Sequence, residues 1–411
     1  MIYLLIFSAC IWFLSAVAVW RASFVLQPIE NNDSPVVDRG AEWPTVSIVV
    51  AALDEEDNLE RALRSIQALD YPSLQIVAVN DRSRDRTGDI FDAAARDDPR
   101  MEVIHNTELP PGWLGKPHAL YRGAQRATGE WLLFTDADVV HPPHVLKQAV
   151  HRVLIRGRDF LSIIPNNETN SVGIKFFFTQ SLSMLVLIIG LWTATRKRQS
   201  WEAMGAGAFL LIHRPIYERL GTHAAQRWED VEDIQLSHRA RRAGAKTEIA
   251  LTRTGCRVPW APSIRRLFSV TRKNSFAVFR YNWLALILAS AIVITFNTVL
   301  PLLTLTVPNQ WLIALVTWLS IASIYRIMRP LTEAPIWGFV FHPFLTLLFI
   351  AAAWNSAIHT TCAGGIDWRG TFYPLAQLRR PPSPRSEACL LYKSDAADER
   401  SSVDIGGRRI I

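Results

Sequence analysis

The chain has 411 residues, of which 49% are hydrophobic and 15 are tryptophan, a content higher than most soluble enzymes have. Its formal net charge of +7 suits contact with an anionic membrane surface. The Lys and Arg residues are scattered and accompany no nucleic-acid-binding motif, so we expect no nucleic-acid partner. The four cysteines (Cys10, Cys256, Cys362 and Cys389) lack metal-ligand spacing and indicate no disulfide framework.

The N-terminal segment, residues 1–22, predicts a membrane anchor. Residues 2–20 form an apolar run close to the roughly 20 residues that a membrane helix needs, and Arg21 follows it. No basic region precedes the run and residues 17–20 make a poor cleavage site, which favours an uncleaved anchor over a signal peptide. Residues 23–44 are rich in Pro, Asn and Asp and predict a linker.

Residues 45–260 alternate predicted strands with predicted helices. The strands are residues 46–50, 75–79, 101–104 and 131–134, and the helices between them are residues 55–69 and 87–96. This alternation predicts an α/β domain built on a mostly parallel, doubly wound sheet.

Acidic residues follow two of these strands. Asp81 ends the second strand region, and Asp136 and Asp138 follow the fourth. Ligands of open α/β sheets bind at the carboxyl ends of the strands, and two such acids offer oxygen ligands for a divalent cation that can bind a diphosphate. The same Asp-x-Asp pattern occurs in solvated turns, and it would also suit a phosphohydrolase with Asp136 as nucleophile and Asp138 as acid/base. A non-catalytic membrane scaffold would explain the apolar segments alone.

Four motifs occur in a specific order. They are Val-Val-Ala-Ala-Leu-Asp-Glu-Glu at 49–56, Val-Asn-Asp-Arg-Ser-Arg-Asp-Arg-Thr at 79–87, Gly-Trp-Leu-Gly-Lys at 112–116 and Thr-Asp-Ala-Asp at 135–138. The ordered set resembles family 2 inverting glycosyltransferases, which have a GT-A nucleotide-sugar-binding fold, over about residues 45–280.

The resemblance implies a donor site for a UDP-linked sugar. It assigns Ala51, Glu55 and Asp81 to the uridine, and Lys116 and Asp136 to the diphosphate. It also implies that Asp136 and Asp138 hold Mg²⁺ or Mn²⁺. The first loop departs from the family, because Ala51 and Leu53 stand where relatives have proline and arginine.

The resemblance places the catalytic base at Glu232-Asp233, since Leu236 follows the Asp at the family spacing. An inverting transfer needs one carboxylate to take the proton of the acceptor hydroxyl, and Asp233 is the predicted base. Glu229-Asp230 is an alternative acidic pair for the same role. The whole acidic cluster could instead only stabilise a helix N-terminus through the helix dipole. Small residues at 205–208 predict a close approach of the backbone to a sugar.

Two further features have structural interpretations. His141 and His144 follow the acids, but the prolines between them favour a rigid turn over a metal site. Residues 175–192 predict a helix that either lies at the membrane interface, lining a lipid-acceptor groove, or packs as an ordinary core helix.

Residues 261–282 predict an interfacial amphipathic segment, because residues 262–274 interleave basic and apolar side chains. This segment resembles single-transfer lipid or carotenoid glycosyltransferases. The Gln-x-x-Arg-Trp sequence typical of processive polysaccharide synthases does not follow residue 233, although a processive synthase stays the nearest alternative. We therefore expect transfer of one hexose to a lipid-phase hydroxyl.

Residues 283–358 predict membrane helices at 283–307, 311–328 and 336–358. Arg326 and Arg329 favour a catalytic domain on the cytoplasmic side of a bacterial inner membrane. Four spans would place the chain end outside, yet residues 359–380 contain an element (367–373) that resembles a cytoplasmic family segment. The count of four apolar segments and a cytoplasmic position of residues 359–380 agree only if one of these segments is re-entrant or interfacial. Residues 381–411 are polar and aperiodic, which predicts disorder, and residues 388–399 resemble translated sequencing-adapter sequence.

Overall fold

The structure is a computed structural model that describes residues 2–30, 43–189, 205–229, 231–252, 254–259, 261, 263–368 and 371–379. Most of the predicted linker, Asp230 and the predicted C-terminal tail lie outside these ranges.

Helices and strands alternate through the first two thirds of the chain, and helices dominate the last third. The strands are β1 (Val46–Ala52), β2 (Leu74–Asp81), β3 (Met101–Asn106), β4 (Trp131–Asp136), β5 (Phe160–Ile164), β6 (Asn166–Asn167), β7 (Leu210–His213), β8 (Thr247–Leu251), β9 (Arg257–Val258), β10 (Gly365–Trp368) and β11 (Thr371–Pro374). The helices are α1 (Ile2–Val25), α2 (Glu56–Gln67), α3 (Thr87–Asp97), α4 (Gly115–Arg126), α5 (Val145–Arg156), α6 (Val172–Ile189), α7 (Arg214–Arg219), α8 (Glu232–Arg242), α9 (Ile264–Asn274), α10 (Trp283–Ile294), α11 (Leu300–Thr304), α12 (Trp311–Thr332), α13 (His342–Cys362) and α14 (Leu375–Leu378).

The central sheet has the strand order β3-β2-β1-β4-β7-β5-β8. β1 pairs in parallel with β2 on one side and β4 on the other, whereas β7 runs antiparallel to both β4 and β5. The prediction of a mostly parallel, doubly wound sheet is confirmed. The antiparallel strand β7 follows residues 205–208 and brings these small residues back to the edge where β4 ends.

The strands are apolar throughout because helices cover both faces of the sheet. Val50 packs into a cluster under α2 and α5, while its neighbour Val49 packs on the opposite face with residues of α4 and α8. Apart from the half-buried Ala51 and Asp136, the side chains of β1 and β4 are buried, which explains why these strands appear as continuous apolar runs rather than alternating ones.

The sheet fixes the positions of two predicted site residues. β2 and β4 flank β1 and end at Asp81 and Asp136, so both acids lie at the same edge, as the sequence predicts. β2 extends two residues beyond its predicted end because Asn80 and Asp81 continue to pair with β3.

Four helical segments within the described residues are long and apolar enough to cross a membrane. They are Ile2–Phe24, Trp283–Thr304, Trp311–Thr332 and Ile336–Cys362. The second contains a π-helical turn, Thr295–Val299, between α10 and α11. α6 is shorter, and its buried side chains contact α1, α12 and α13, which belong to three of these four segments. The interfacial and the core interpretations of this helix both stay predictions. Residues 190–192 of that prediction lie outside the described part of the chain.

Both ends of the Ile336–Cys362 segment lie beside elements that belong to or directly adjoin the α/β domain. At its start, Trp337 packs on Phe176, the fifth residue of α6, with 4.8 Å between the ring centroids. Near its end, the Ser356 hydroxyl donates to the Arg272 carbonyl of α9 (2.6 Å), and β10–β11 then reaches the α/β domain. A segment that starts and ends on one side of the membrane would reconcile the span count with the expected side of residues 359–380, and that arrangement stays a prediction.

α9 has the amphipathic character expected for residues 261–282. Leu267 and Thr271 face inward, whereas Ile264, Arg265 and Arg266 are exposed. The Ser263 hydroxyl caps the helix by accepting from the Arg266 N–H (3.2 Å). The exposed face therefore combines one large apolar side chain with two positive charges.

Candidate active site

Two acidic pairs from distant parts of the chain meet at the carboxyl edge of the sheet. Asp136 ends β4 with Asp138 two residues on, and Glu232 and Asp233 form the first turn of α8. The Lys116 ammonium joins them, since its Nζ lies 2.6 Å from an oxygen of Asp136 and 2.6 Å from an oxygen of Glu232. The predicted metal-binding and catalytic carboxylates therefore share one cation.

Lys116 occupies the second position of α4. Burial alone would lower the pKa of its ammonium, but the carboxylates of Asp136, Glu232 and Asp233 outweigh burial and raise that pKa well above its usual value. The side chain is therefore a permanent positive charge at neutral pH, placed between the two acidic pairs.

Gly207 forms the second link between the acidic pairs. Its N–H donates to Oδ2 of Asp233 (2.9 Å), and a Cβ at this position would lie only 2.7 Å from Oδ2 of Asp136. The small residues at 205–208 thus fit closely against carboxylates of the site itself. The predicted reason, close approach to a sugar, stays a prediction, whereas the contact with Asp136 and Asp233 explains why a side chain is excluded.

Asp233 is held in a definite orientation. Oδ2 accepts from Gly207, and Oδ1 accepts from the backbone N–H of Ile234 (2.8 Å). Burial and the neighbouring Glu232 raise the pKa of Asp233 to about 6, against the opposing charge of Lys116. A carboxylate with a pKa near neutrality suits proton transfer.

The carboxyl group of Asp138 lies near more negative than positive side chains. Burial and then the charges of Asp136 and Glu55 raise its pKa to about 7, with Lys116 opposing them. This places Glu55, at the end of the first loop, near the Asp-x-Asp carboxylates. Ala51 is also adjacent, since it pairs with Asp136 across β1 and β4.

The Asp-x-Asp carboxylates fit a divalent cation by charge and by donor type. Carboxylate oxygens are the ligands that Mg²⁺ and Mn²⁺ prefer, and a cation would relieve the repulsion that raises the pKa of Asp138. Among the described residues no group of three or more His, Cys, Asp or Glu side chains forms a complete metal cage. Further ligands would have to come from a bound diphosphate or water.

Asp81 has partners of its own. The Arg82 guanidinium donates to both carboxylate oxygens of Asp81, with Nε–Oδ1 at 3.1 Å and Nη2–Oδ2 at 2.8 Å. The Asn106 amide also donates to Oδ1 of Asp81 (3.2 Å). Arg82 has a left-handed backbone with φ of 66°. The expected contact of Asp81 with a uridine would have to form beside Arg82 or replace it.

The loop after β1, called the first loop above, and the loop after β2 are linked by side-chain hydrogen bonds that the sequence interpretation missed. The Glu55 N–H donates to the Thr87 hydroxyl (2.8 Å), and the Arg84 N–H donates to Asp54 (2.8 Å). Glu56 and Asp85 add two more bonds, each accepting a backbone N–H from the opposite loop. The density of Asp, Ser and Thr in both loops was the available signal, because these side chains readily bond to backbone groups.

The two histidines lie as expected for structural residues. His141 is buried between the Thr135 hydroxyl (3.0 Å) and the Cys256 sulfur (3.3 Å), and burial lowers its pKa to about 4. His144 is exposed and approaches Asp70 at 3.5 Å. Neither joins the acidic pairs.

Parts of the chain match known proteins in sequence, and its fold matches a solved structure. Residues 47–221 match the family model described as "Glycosyl transferase family 2". The probable glycosyltransferase YdaM of Bacillus subtilis is 29% identical over 49% of this chain and 48% of its own length. The undecaprenyl-phosphate 4-deoxy-4-formamido-L-arabinose transferase of Pseudomonas fluorescens is 31% identical over 31% of this chain and 37% of its own. The chain thus spans about half or less of the length of these relatives.

A solved structure supports the fold. The mannosyltransferase PcManGT from Pyrobaculum calidifontis, in complex with GDP-Man and Mn²⁺, superposes with a TM-score of 0.50 and 19% identity, covering 86% of this chain and 98% of its own. At this identity the likeness concerns the fold alone. The family match and the shared fold show that residues 47–221 belong to a glycosyl transferase family 2 domain with the GT-A fold.

Proposed function

We propose that the protein is a membrane-bound inverting hexosyltransferase that transfers one hexose from a nucleotide sugar, UDP-linked, to a lipid-phase hydroxyl. One observation carries this proposal. Lys116 contacts both acidic pairs at 2.6 Å, so the carboxylates proposed for the donor and for the acceptor lie on opposite sides of one cation. A transfer reaction needs both groups within reach of the same anomeric carbon.

The donor side consists of Asp136, Asp138 and Lys116. Asp136 and Asp138 would hold Mg²⁺ or Mn²⁺, which supplies charge stabilisation to the departing nucleoside diphosphate. Lys116 can exchange its contact with Asp136 for a diphosphate oxygen when the donor binds, since its charge is retained at neutral pH. Ala51, Glu55 and Asp81 would border the nucleoside.

Asp233 is the proposed base. Its carboxylate takes the proton from the acceptor hydroxyl while that oxygen attacks the anomeric carbon opposite the leaving diphosphate, which inverts the configuration. The two backbone N–H groups that bind Asp233 fix its orientation. Glu232 supports this role by binding Lys116 and by raising the pKa of its neighbour.

The acceptor class is inferred from chemistry and from a relative. The arabinose transferase of Pseudomonas fluorescens carries the name of a lipid phosphate, undecaprenyl phosphate, which supports a lipid-phase acceptor here. A phosphate oxygen is already ionised and needs no base, whereas a hydroxyl does. The buried base Asp233 therefore favours a hydroxyl over a phosphate.

The membrane arrangement is also a proposal. Three segments would cross a bacterial inner membrane: α1, α10–α11 and α12. Ile336–Cys362 would enter and leave the membrane on its cytoplasmic side. The catalytic domain would lie on that same side. The exposed Cys362 reports on this arrangement. With Cys10 and Cys389 replaced by serine, a membrane-impermeant thiol reagent applied to intact cells should leave Cys362 unlabelled, and labelling there would contradict the arrangement.

The experiment that tests the function measures nucleoside diphosphate release by membranes that contain the protein and added lipid extract. UDP-glucose, UDP-galactose, UDP-N-acetylglucosamine and GDP-mannose are compared with Mn²⁺ and with EDTA. We expect metal-dependent release from one UDP-sugar that Asp138→Asn nearly abolishes and that Asp70→Asn, an exposed acid outside the site, preserves. Folded protein that releases nothing from any donor would refute the proposed function.

The same assay separates the alternatives. A processive synthase would build products with more than one sugar from a single donor, while the proposed enzyme yields a lipid with one added hexose. A phosphohydrolase would leave Lys116, Glu232 and Asp233 without a role, although they adjoin Asp136.

A further inference from the structure

The hairpin β10–β11 places a tyrosine at the proposed donor site. The Gly115 N–H donates to the hydroxyl oxygen of Tyr373 (3.3 Å), although the two residues are 258 positions apart in the chain. Gly115 immediately precedes Lys116. A segment that follows the last apolar helix is therefore bonded to the residue beside the central cation of the site.

The surroundings of Gly115 leave no room for a side chain. A Cβ there would lie 2.7 Å from Nη2 of Arg82 and 2.8 Å from Oδ2 of Asp81, and 3.8 Å from the Tyr373 hydroxyl. Asp81, Arg82 and Tyr373 thus surround one backbone position at the start of α4. This cluster adjoins the region proposed for the nucleoside.

The first strand of the hairpin is anchored on the apolar helices. Ile366, which pairs with Tyr373 across the two strands, is buried against Phe276, Leu286 and Ala357. The Arg379 guanidinium also donates to the Tyr281 carbonyl (3.2 Å). The hairpin is therefore a fixed support, so the position of the Tyr373 hydroxyl is set by packing against residues 276–281, α10 and α13.

We propose that Tyr373 is a positioning residue for donor binding, which acts by holding the Gly115 amide and thereby the start of α4 that carries Lys116. This inference rests on the proposed function and adds a contribution from outside the family 2 domain. It implies that a nucleoside diphosphate binds more weakly when the hydroxyl is absent, while the chemical step, which depends on Asp233, is retained.

The test compares Tyr373→Phe with Phe372→Leu in the full-length membrane protein. Phe372 lies on the same strand with an exposed ring, so its variant is a matched control for damage to the hairpin. Loss of one neutral hydrogen bond should raise the donor KM and the Kd for UDP by about three- to tenfold. The kcat should change less than about twofold, and Phe372→Leu should leave all three values unchanged.

Three results would overturn the inference: an unchanged donor KM and Kd in Tyr373→Phe, an equal effect of both variants, or a loss confined to kcat. A second measurement stays valid if the enzyme proves inactive. Hydrogen exchange of residues 113–118 in the unliganded protein should be faster in Tyr373→Phe than in wild type or Phe372→Leu. Absence of UDP and GDP binding by wild type would refute the proposed function, and unchanged exchange would refute the role of Tyr373.

Discussion

The two acidic pairs of the site are chemically alike but held differently. Asp136 ends β4 and Asp138 lies two residues later. Burial and the negative charges of Asp136 and Glu55 raise the pKa of Asp138. Glu232 and Asp233 begin a helix, and Asp233 has a backbone N–H on each oxygen. Asp136 and Asp138 therefore form a negatively charged pair that suits a bound cation. In the second pair, Asp233 has a fixed orientation that suits proton transfer.

This comparison shows that an acidic pair does not define its own role. Both pairs contain one carboxyl whose pKa is raised above its usual value, to about 7 in Asp138 and about 6 in Asp233. Their surroundings separate them, because Lys116 contacts one oxygen of each pair and Gly207 fits between Asp136 and Asp233. The predictions below test whether the two roles are separate.

The largest effect is expected for Asp233→Asn. The amide keeps the shape but has one acceptor oxygen, so it can accept from Gly207 or from Ile234 but not from both, and it cannot take a proton. We expect kcat to fall on the order of 10²- to 10⁴-fold, with the Kd for UDP within about twofold of wild type. Single-turnover transfer and UDP titration would measure the two quantities.

Glu229→Gln is the matched control, because Glu229 belongs to the alternative acidic pair three residues before Glu232. Near wild-type turnover is expected for this variant. The assignment of the base would be wrong if Glu229→Gln were inactive and Asp233→Asn active.

A smaller but broader effect is expected for Gly207→Ala. The added methyl group would lie 2.7 Å from Oδ2 of Asp136, so that carboxylate or the backbone bonded to Asp233 must shift. We expect kcat/KM to fall on the order of ten- to a hundredfold, with both donor affinity and kcat affected.

Gly173→Ala provides the comparison, since the nearest atom to a Cβ there is 3.9 Å away. That variant should behave as wild type. Normal donor affinity and normal kcat in Gly207→Ala would show that the two pairs tolerate independent movement.

The smallest effect concerns pH. The pKa of Asp233 is raised to about 6, so this carboxyl is protonated and unable to act as a base below that pH. We expect kcat to be level above about pH 7 and to fall as the pH decreases through 6, approaching tenfold per pH unit. A kcat that stays constant from pH 5 to 8 would favour a phosphate acceptor, which needs no base.

Much of the α/β domain was predictable because its signals are local. Continuous apolar runs such as residues 46–50 and 131–134 indicate strands covered on both faces, and their alternation with helices specifies a parallel sheet. Parallel pairing then forces Asp81 and Asp136 to one edge. The apolar helices were predictable for the same reason, since length and hydrophobicity alone distinguish them.

The remainder depended on contacts between distant residues. The sequence suggested a donor role for Lys116 but not its contact with Glu232, and the small residues at 205–208 did not reveal which groups they approach. The bonds between the first loop and the loop after β2 depend on individual side-chain geometry. Ile336–Cys362 has the length and composition of a membrane span, and the sequence did not reveal its contacts with Phe176 and with Arg272.

The amino-acid sequence by itself determined the sheet, its carboxyl edge and the apolar helices, because periodicity and burial of apolar surface act over a few neighbouring residues. Only the tertiary structure decided which carboxylates share Lys116, why Gly207 excludes a side chain and that Tyr373 reaches Gly115. Those features need specific distances between groups far apart in the chain, and such distances arise only when the packed elements are placed together.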